Sequence, residues 1–212
     1  MSMGLYILAA VVGYLLGNLQ SAVIISRLKY KDDVRNHGSG NAGSTNMLRV
    51  FGLKSGAVTF AGDLLKGILA VLAGRWIAGE TGAYIASFFV ALGHCFPVFL
   101  QFRGGKGVAS TLGIAWMLNP LFGAIMTAWA LLMIALTRTI SVASLTGITL
   151  YFLLTLVFAW SNTILIVSIG LLWLLIVLRH TDNIKRLLKG EESKLFEKKR
   201  EKKEKSETNQ IL

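Results

Sequence analysis

Cysteine is nearly absent from this chain: Cys95 stands alone among 212 residues. One thiol excludes an internal disulfide and a thiolate zinc cluster. Its apolar setting, ALGHCFPVF, marks it as an inert packing residue. Charge is also scarce, at 16% of residues, while 54% are hydrophobic and the mean hydropathy is +0.60. That balance excludes a water-soluble domain of this size and implies an integral membrane protein. Acids are half as numerous as bases, 11 against 22, which leaves a net charge of +11. Half of the Lys and Arg lie from Arg179 onward and most others in short loops. No face combines aromatic and basic residues, so nucleic acid is not an expected partner. The N-terminus, MSMGLYILAAVVGYLLG, lacks a basic leader segment and reads as a retained spanning helix, not a cleaved signal. No GxSxG elbow, Walker A loop or carboxylate cluster for a metal is present, and no histidine is followed four residues later by aspartate.

The hydrophobic runs predict an all-α polytopic bundle. Seven spans are expected: Gly4–Leu28, Ser55–Ala78, Thr81–Leu100, Val108–Leu118, Leu121–Leu136, Val142–Trp160 and Asn162–Leu178. Pro97 ends the third, Asn119 and Pro120 separate the fourth from the fifth, and Trp160 to Asn162 turn the chain into the seventh. The alternative is five or six spans, with the short fourth segment re-entrant or fused to a neighbour. Residues 1–190 form the membrane domain, and 191–212 a charged tail that is solvated helix or disordered.

Cation placement predicts the orientation. With the N-terminus outside, Lys29, Lys31, Arg35, Arg49, Lys54, Arg103, Lys106, Arg138 and the C-terminal tail all fall on the cytoplasmic side. The outer connections AGETG, NP and WSN hold no Lys or Arg, and Arg75 is the one cation near the outer surface.

Three polar stretches then share the inner face: HGSGNAGSTN, FRGGKGVAST and RHTDNIKRLLKGEE. In the first, Gly38, Gly40 and Gly43 let successive backbone N–H groups converge, and Ser39, Asn41, Ser44, Thr45 and Asn46 add side-chain donors. Arg49 follows on a short helix, NMLRVFG. Donors of this kind beside a guanidinium suit a phosphate; a plain flexible loop is the alternative. Gly104, Gly105, Lys106 and Gly107 precede the fourth span, where a helix N-terminus attracts anions; Lys106 alone also fits an inner-face anchor. Arg179 fits a snorkelling anchor. His180 and Asn183 share a helix face. Asp63 and Lys66, i,i+3 inside the second span, are expected to pair with each other or with a polar loop. Ser144, just inside the sixth span, suits either a site or helix packing.

Together GSGNAGSTNMLR, GHCFPVFLQFRGGKGVAST, RHTDNIKRLLKGEE and GDLLKG resemble the PlsY-type acyl-phosphate:glycerol-3-phosphate acyltransferases of bacteria, in order and spacing, from Gly17 to Glu192. Ser44 stands where that family often has Ala. The resemblance implies a seven-helix enzyme of the bacterial plasma membrane with a cytoplasmic active site. It would move a fatty acyl group from acyl-phosphate, not acyl-CoA, to the 1-hydroxyl of glycerol-3-phosphate. The product would be lysophosphatidic acid, and no cofactor is expected. Carried over by position, Ser39, Arg49, Lys106, Ser144, His180 and Asn183 are the implied active-site residues. Catalysis is expected from Lys106, Ser144, His180 and Asn183. Substrate binding is expected from Ser39, Gly40, Asn41, Gly43, Thr45, Asn46, Arg49, Gly104, Gly105 and Gly107. Because acyl-phosphate is already activated, direct attack by the glycerol hydroxyl without an acyl-enzyme is expected.

Overall fold

The computed structural model describes residues 2–195, and every regular element among them is helical. Most of the region read as a charged tail, 196–212, lies outside the described residues.

Two helices, α1 (Met3–Asn18) and α2 (Ser21–Tyr30), replace the single one expected over Gly4–Leu28. The chain is extended at Leu19 and Gln20. A distant lysine and the side chain of Gln20 itself hold this break open. Lys66 Nζ donates to Leu19 O at 2.8 Å, and Gln20 Nε2 donates to Gly17 O and His94 O at 3.1 and 3.0 Å. Carbonyls released from a helix away from water need such partners.

Helix α3 (Ser44–Cys95) is not one rod: Gly52, Ala78 and Gly79 are non-helical. The part before Gly52 is the short helix expected from NMLRVFG. Segments 53–77 and 80–95 fold back on one another. A Cβ on Gly74 would strike Gly82 O, and one on Gly82 would strike Gly74 O, so the two backbones touch. Arg75, the cation on the wrong side of the charge pattern, pairs with Glu80 across this bend at 2.6 Å.

The rest follows the hydropathy closely: α4 (Val108–Leu118), α5 (Pro120–Thr137), α6 (Ile140–Phe158), α7 (Thr163–Arg179) and the short α8 (Thr181–Leu188). Asn119 caps α5 by accepting from Leu121 N and Phe122 N at 3.1 and 3.2 Å, with Pro120 in the first turn. Such a cap is worth ~1 kcal/mol. Asn162 caps α7 through Leu165 N at 3.1 Å.

Four helical stretches, Met3–Tyr30, Ser44–Leu100, Pro120–Thr137 and Ile140–Phe158, are long and apolar enough to cross a membrane; α7 with α8, bent by 57°, makes a fifth. The second contains the α3 hairpin. Val71, Val90, Ile114, Tyr151, Ile169 and Leu172 centre the core. Ile7, Val11, Leu131, Leu153 and Leu171 face outward, an apolar surface suited to lipid.

Candidate active site

Polar loops from one end of the bundle meet around a cavity of about 900 Å³. Its lining includes Ser39, Asn41, Gly43, Thr45, Asn46, Arg49, Lys106, Gly107, Ser144, His180 and Asn183, all predicted site residues. Gly40, Gly104 and Gly105 are not among them. A smaller cavity of about 300 Å³ lies at the other end of the helices and has no charged residue in its lining.

The first loop is built around Asn46. Its Oδ1 accepts from Ser39 N at 3.0 Å, and its Nδ2 donates to Val34 O, His37 O and Asn41 O at 3.1, 3.0 and 3.1 Å. Expected as a substrate donor, Asn46 instead spends its amide on the loop's own carbonyls. Gly38 takes φ +60°, and a Cβ there would strike Asn46. Gly40 turns on the exposed side, donating to His37 O at 3.0 Å, which takes it out of the site. Gly43 begins α3 without a side-chain cap, so the helix N-terminus behind Ser44 and Thr45 opens towards the cavity.

An unpredicted clamp ties this loop to the second one. Arg35 pairs with Asp33 at 2.8 Å and donates through Nη1 to Leu100 O at 3.1 Å and Arg103 O at 3.4 Å. Hydrogen bonds from Arg35 hold the Asp33 carboxyl well below the usual carboxylate range, although burial opposes them. The DDVR sequence just ahead of the glycines carried the signal.

The second loop is packed, not open. Gly105 N donates to His94 O at 3.1 Å. A Cβ on Gly104 would strike His94 O, and one on Gly105 would strike the His94 ring. These glycines therefore let the loop lie flat on α3, and the Gly105 N–H is spent on His94. Arg179 pins the same loop, donating to Gly105 O and Gly104 O at 3.3 and 3.4 Å while its guanidinium sits 5.0 Å from the Phe96 ring centre. It does not line the cavity itself. What the loop delivers is Lys106, whose Nζ hydrogen-bonds Asn183 Oδ1. Burial pulls Lys106 down to about 8, with Glu192 partly opposing.

Asn183 is a hub. Besides accepting from Lys106, it donates to Ser141 Oγ at 2.8 Å and to Glu192 Oε1 at 2.6 Å. Glu192 also accepts from Ser141 at 2.5 Å and from Arg186 Nε at 2.6 Å. Ser141, Arg186 and Glu192 were missed. Ser141 and Arg186 each stand three residues from a predicted position on the same helix face. Glu192 was set aside with the tail, yet it reaches the cavity because the chain folds back and Leu195 N donates to Arg138 O at 2.6 Å.

His180 sits where the chain leaves α7. Its Nδ1 lies 2.8 Å from Ile176 O. A carbonyl only accepts, so Nδ1 carries the proton. Burial pushes His180 down to about 4, and the ring is neutral near pH 7. Its Nε2 is then a hydrogen-bond acceptor.

A sequence profile of the family described as "Glycerol-3-phosphate acyltransferase" matches residues 7–190. This chain belongs to that family. The glycerol-3-phosphate acyltransferase of Thermoanaerobacter pseudethanolicus is 46% identical over 192 residues, covering 91% of this chain and 96% of that protein. The Bacillus subtilis acyltransferase is 37% identical over 191 residues, covering 89% and 96%. Among solved structures, the integral membrane acyltransferase PlsY in its glycerol 3-phosphate form superposes with a TM-score of 0.84 at 34% identity, covering 90% of this chain and 95% of that one. Its lysophosphatidic acid form gives 0.81 at 32%. This acyltransferase therefore shares the PlsY integral membrane fold.

Proposed function

We propose that this acyltransferase moves a fatty acyl group from acyl-phosphate to the 1-hydroxyl of glycerol-3-phosphate, releasing lysophosphatidic acid and inorganic phosphate for bacterial phospholipid synthesis. One observation carries this reading: a single cavity joins Arg49, Lys106 and Arg186 with the open N-terminus of α3, while Leu48, Phe60, Ile134 and Ile140 make its flank apolar. Two phosphate head groups match the cationic part, and a fatty chain matches the apolar flank. The solved PlsY structures with glycerol 3-phosphate and with lysophosphatidic acid support the acceptor and the product.

The chemistry needs no protein nucleophile. The hydroxyl oxygen forms an ester bond to the acyl carbon, and the mixed-anhydride C–O bond breaks. Phosphate departs with that electron pair. His180 Nε2 orients the hydroxyl by accepting its hydrogen bond. Held at about 4, His180 is too weak a base to keep the proton. Phosphate, whose second pKa in an ester is about 6, is the better acceptor. Lys106 and Arg49 hold the anions, and positioning supplies most of the rate.

The membrane arrangement follows from the same pattern. Cations gather at the site end, so that end faces the cytoplasm; with the seven passes read from hydropathy, the N-terminus lies outside the plasma membrane. A single cysteine placed at Ser2 should react with an impermeant thiol reagent in intact cells, and one placed at Gly190 should not. The catalytic test uses purified protein in detergent. Acyl-phosphate with glycerol-3-phosphate should give lysophosphatidic acid and inorganic phosphate. Equal turnover with acyl-CoA, or a trapped acyl-enzyme, would overturn the scheme. A transporter is disfavoured by the uncharged lining of the cavity at the opposite end.

A further inference from the structure

Beneath the cavity lies an ionic cluster that the scheme above does not use. Asp63 and Lys66 pair as expected, at 2.8 Å, and are only 2% and 4% exposed. Lys66 Nζ also donates to Leu19 O at 2.8 Å and lies 2.7 Å from His94 Nδ1. The 2.8 Å contact with Asp63 is an ion pair, in which Lys66 is the ammonium. An ammonium has three N–H bonds and no lone pair, and here it has three neighbours. His94 Nδ1 must therefore accept. The His94 ring is consequently the tautomer with hydrogen on Nε2.

That N–H has no hydrogen-bond partner among the described residues, although His94 is 3% exposed. The nitrogen is not sealed among protein atoms, so its hydrogen is open to a ligand or water in the cavity. The ring lines the cavity. Its Nε2 sits where the two glycine loops meet: a Cβ on Gly105 would strike Nε2 and lie 3.0 Å from Ala42 O. Only a glycine at 105 therefore leaves the His94 ring room at this junction.

Resting on the reading that phosphorylated substrates occupy the cavity, we propose that His94 is a binding residue whose Nε2–H donates to a phosphoryl oxygen at the cavity floor. Lys66 and Asp63 are its positioning residues, since they fix which ring nitrogen carries the hydrogen. The two buried site histidines are then complementary. His180 presents an acceptor to the hydroxyl, and His94 presents a donor to a phosphate.

The first test is nitrogen-15 NMR of histidine-labelled full-length protein in detergent, where only three histidines appear. The His94 ring should show the Nε2–H tautomer, and its Nε2 resonance should move saturably on titration with inorganic phosphate or with glycerol-3-phosphate. Movement with glycerol-3-phosphate alone assigns the nitrogen to the acceptor substrate. Movement with inorganic phosphate alone assigns it to the phosphate of the donor. Lys66→Met should redistribute the His94 tautomers.

The second test compares two variants. His94→Gln places an amide N–H near the Nε2 position and should raise the KM of the assigned substrate by no more than about threefold. His94→Asn reaches only the Nδ1 position and should raise it by about tenfold or more, as expected for a lost hydrogen bond to an anion. Equal losses in both variants that track their melting temperatures would reduce His94 to a packing role. A resonance unmoved by either anion in protein that still transfers acyl groups would sink the proposal and leave the function standing. Movement with phosphate in protein without acyl transfer would do the reverse.

Discussion

Lys106 and Asn183, 77 residues apart in the chain, are joined by a hydrogen bond from Nζ to Oδ1. That bond links the second loop to α8 across the cavity mouth. It leaves the ammonium beside Glu192 and Arg186, in a setting dry enough to make its charge depend on pH.

Lys106 is charged below its pKa and neutral above it, and burial has brought that pKa down to about 8. The KM for glycerol-3-phosphate should therefore stay flat once the substrate phosphate is fully ionised, above its second pKa of about 6, until Lys106 begins to lose its proton. It should climb as pH rises through about 8, approaching tenfold per unit. Lys106→Arg stays charged throughout, so its KM should lose this alkaline limb even where turnover falls. Steady-state kinetics from about pH 6 to about pH 10 decide the matter; a flat wild-type profile would remove Lys106 from phosphate binding.

Glu192 supports that charge. Its own carboxyl is raised by burial but lowered overall by hydrogen bonds from Ser141, Asn183 and Arg186. Glu192→Gln removes a negative neighbour of Lys106, so the alkaline limb should move to lower pH. The variant should also lose about 2 kcal/mol of stability, because Arg186 forfeits its charged partner. Thermal melting read alongside the pH profile checks both effects.

Asp33 and Arg35 act as one unit. Arg35→Gln should release Leu100 O and Arg103 O, and Asp33→Asn should free Arg35 from its pairing. Each change should lower activity by about tenfold or more, while the double variant should be little worse than the poorer single one. Additive losses would show that the two residues work separately. Because the Asp33 carboxyl is held below its unfolded range, its contribution to stability is present near neutral pH and fades as pH falls through the carboxylate range and below.

Gly113 and Gly52 should respond differently to alanine. A Cβ on Gly113 would strike the main-chain oxygen of Leu64, which cannot swing away, so α3 and α4 must part. That overpacking should cost about 1–3 kcal/mol. Gly52 has open space around it but sits at φ +84° and ψ 176°, a region essentially reserved for glycine, so alanine there should cost about 1–3 kcal/mol of backbone strain without parting any helices. Melting temperatures in detergent check both losses, and a variant that melts like the wild type would contradict its prediction.

Hydropathy and charge exposed the helical membrane class, most helix ends and the gathering of cations at one end. The glycine loops, Arg49, Lys106, His180 and Asn183 could be found because their spacing is local. Gly104 and Gly105 looked like ligands by their neighbourhood with Lys106. The fold instead uses their small size against His94. Asn46 looked like a donor to substrate because nothing in the linear chain showed the three carbonyls that claim its amide. Ser141, Arg186 and Glu192 escaped notice because their importance lies in meeting Asn183, not in their immediate sequence context.

By itself the sequence determined which segments avoid water, where the positive charge collects and which polar residues stand at the helix ends. Those properties belong to single residues and short windows, so they survive without coordinates. Only the tertiary structure decided that the first helix breaks at Leu19, that burial pulls Lys106 down to about 8 and that His94 and His180 carry their hydrogens on opposite ring nitrogens. A proton's position depends on the nearest donor or acceptor in space, and here some of those partners lie dozens of residues away.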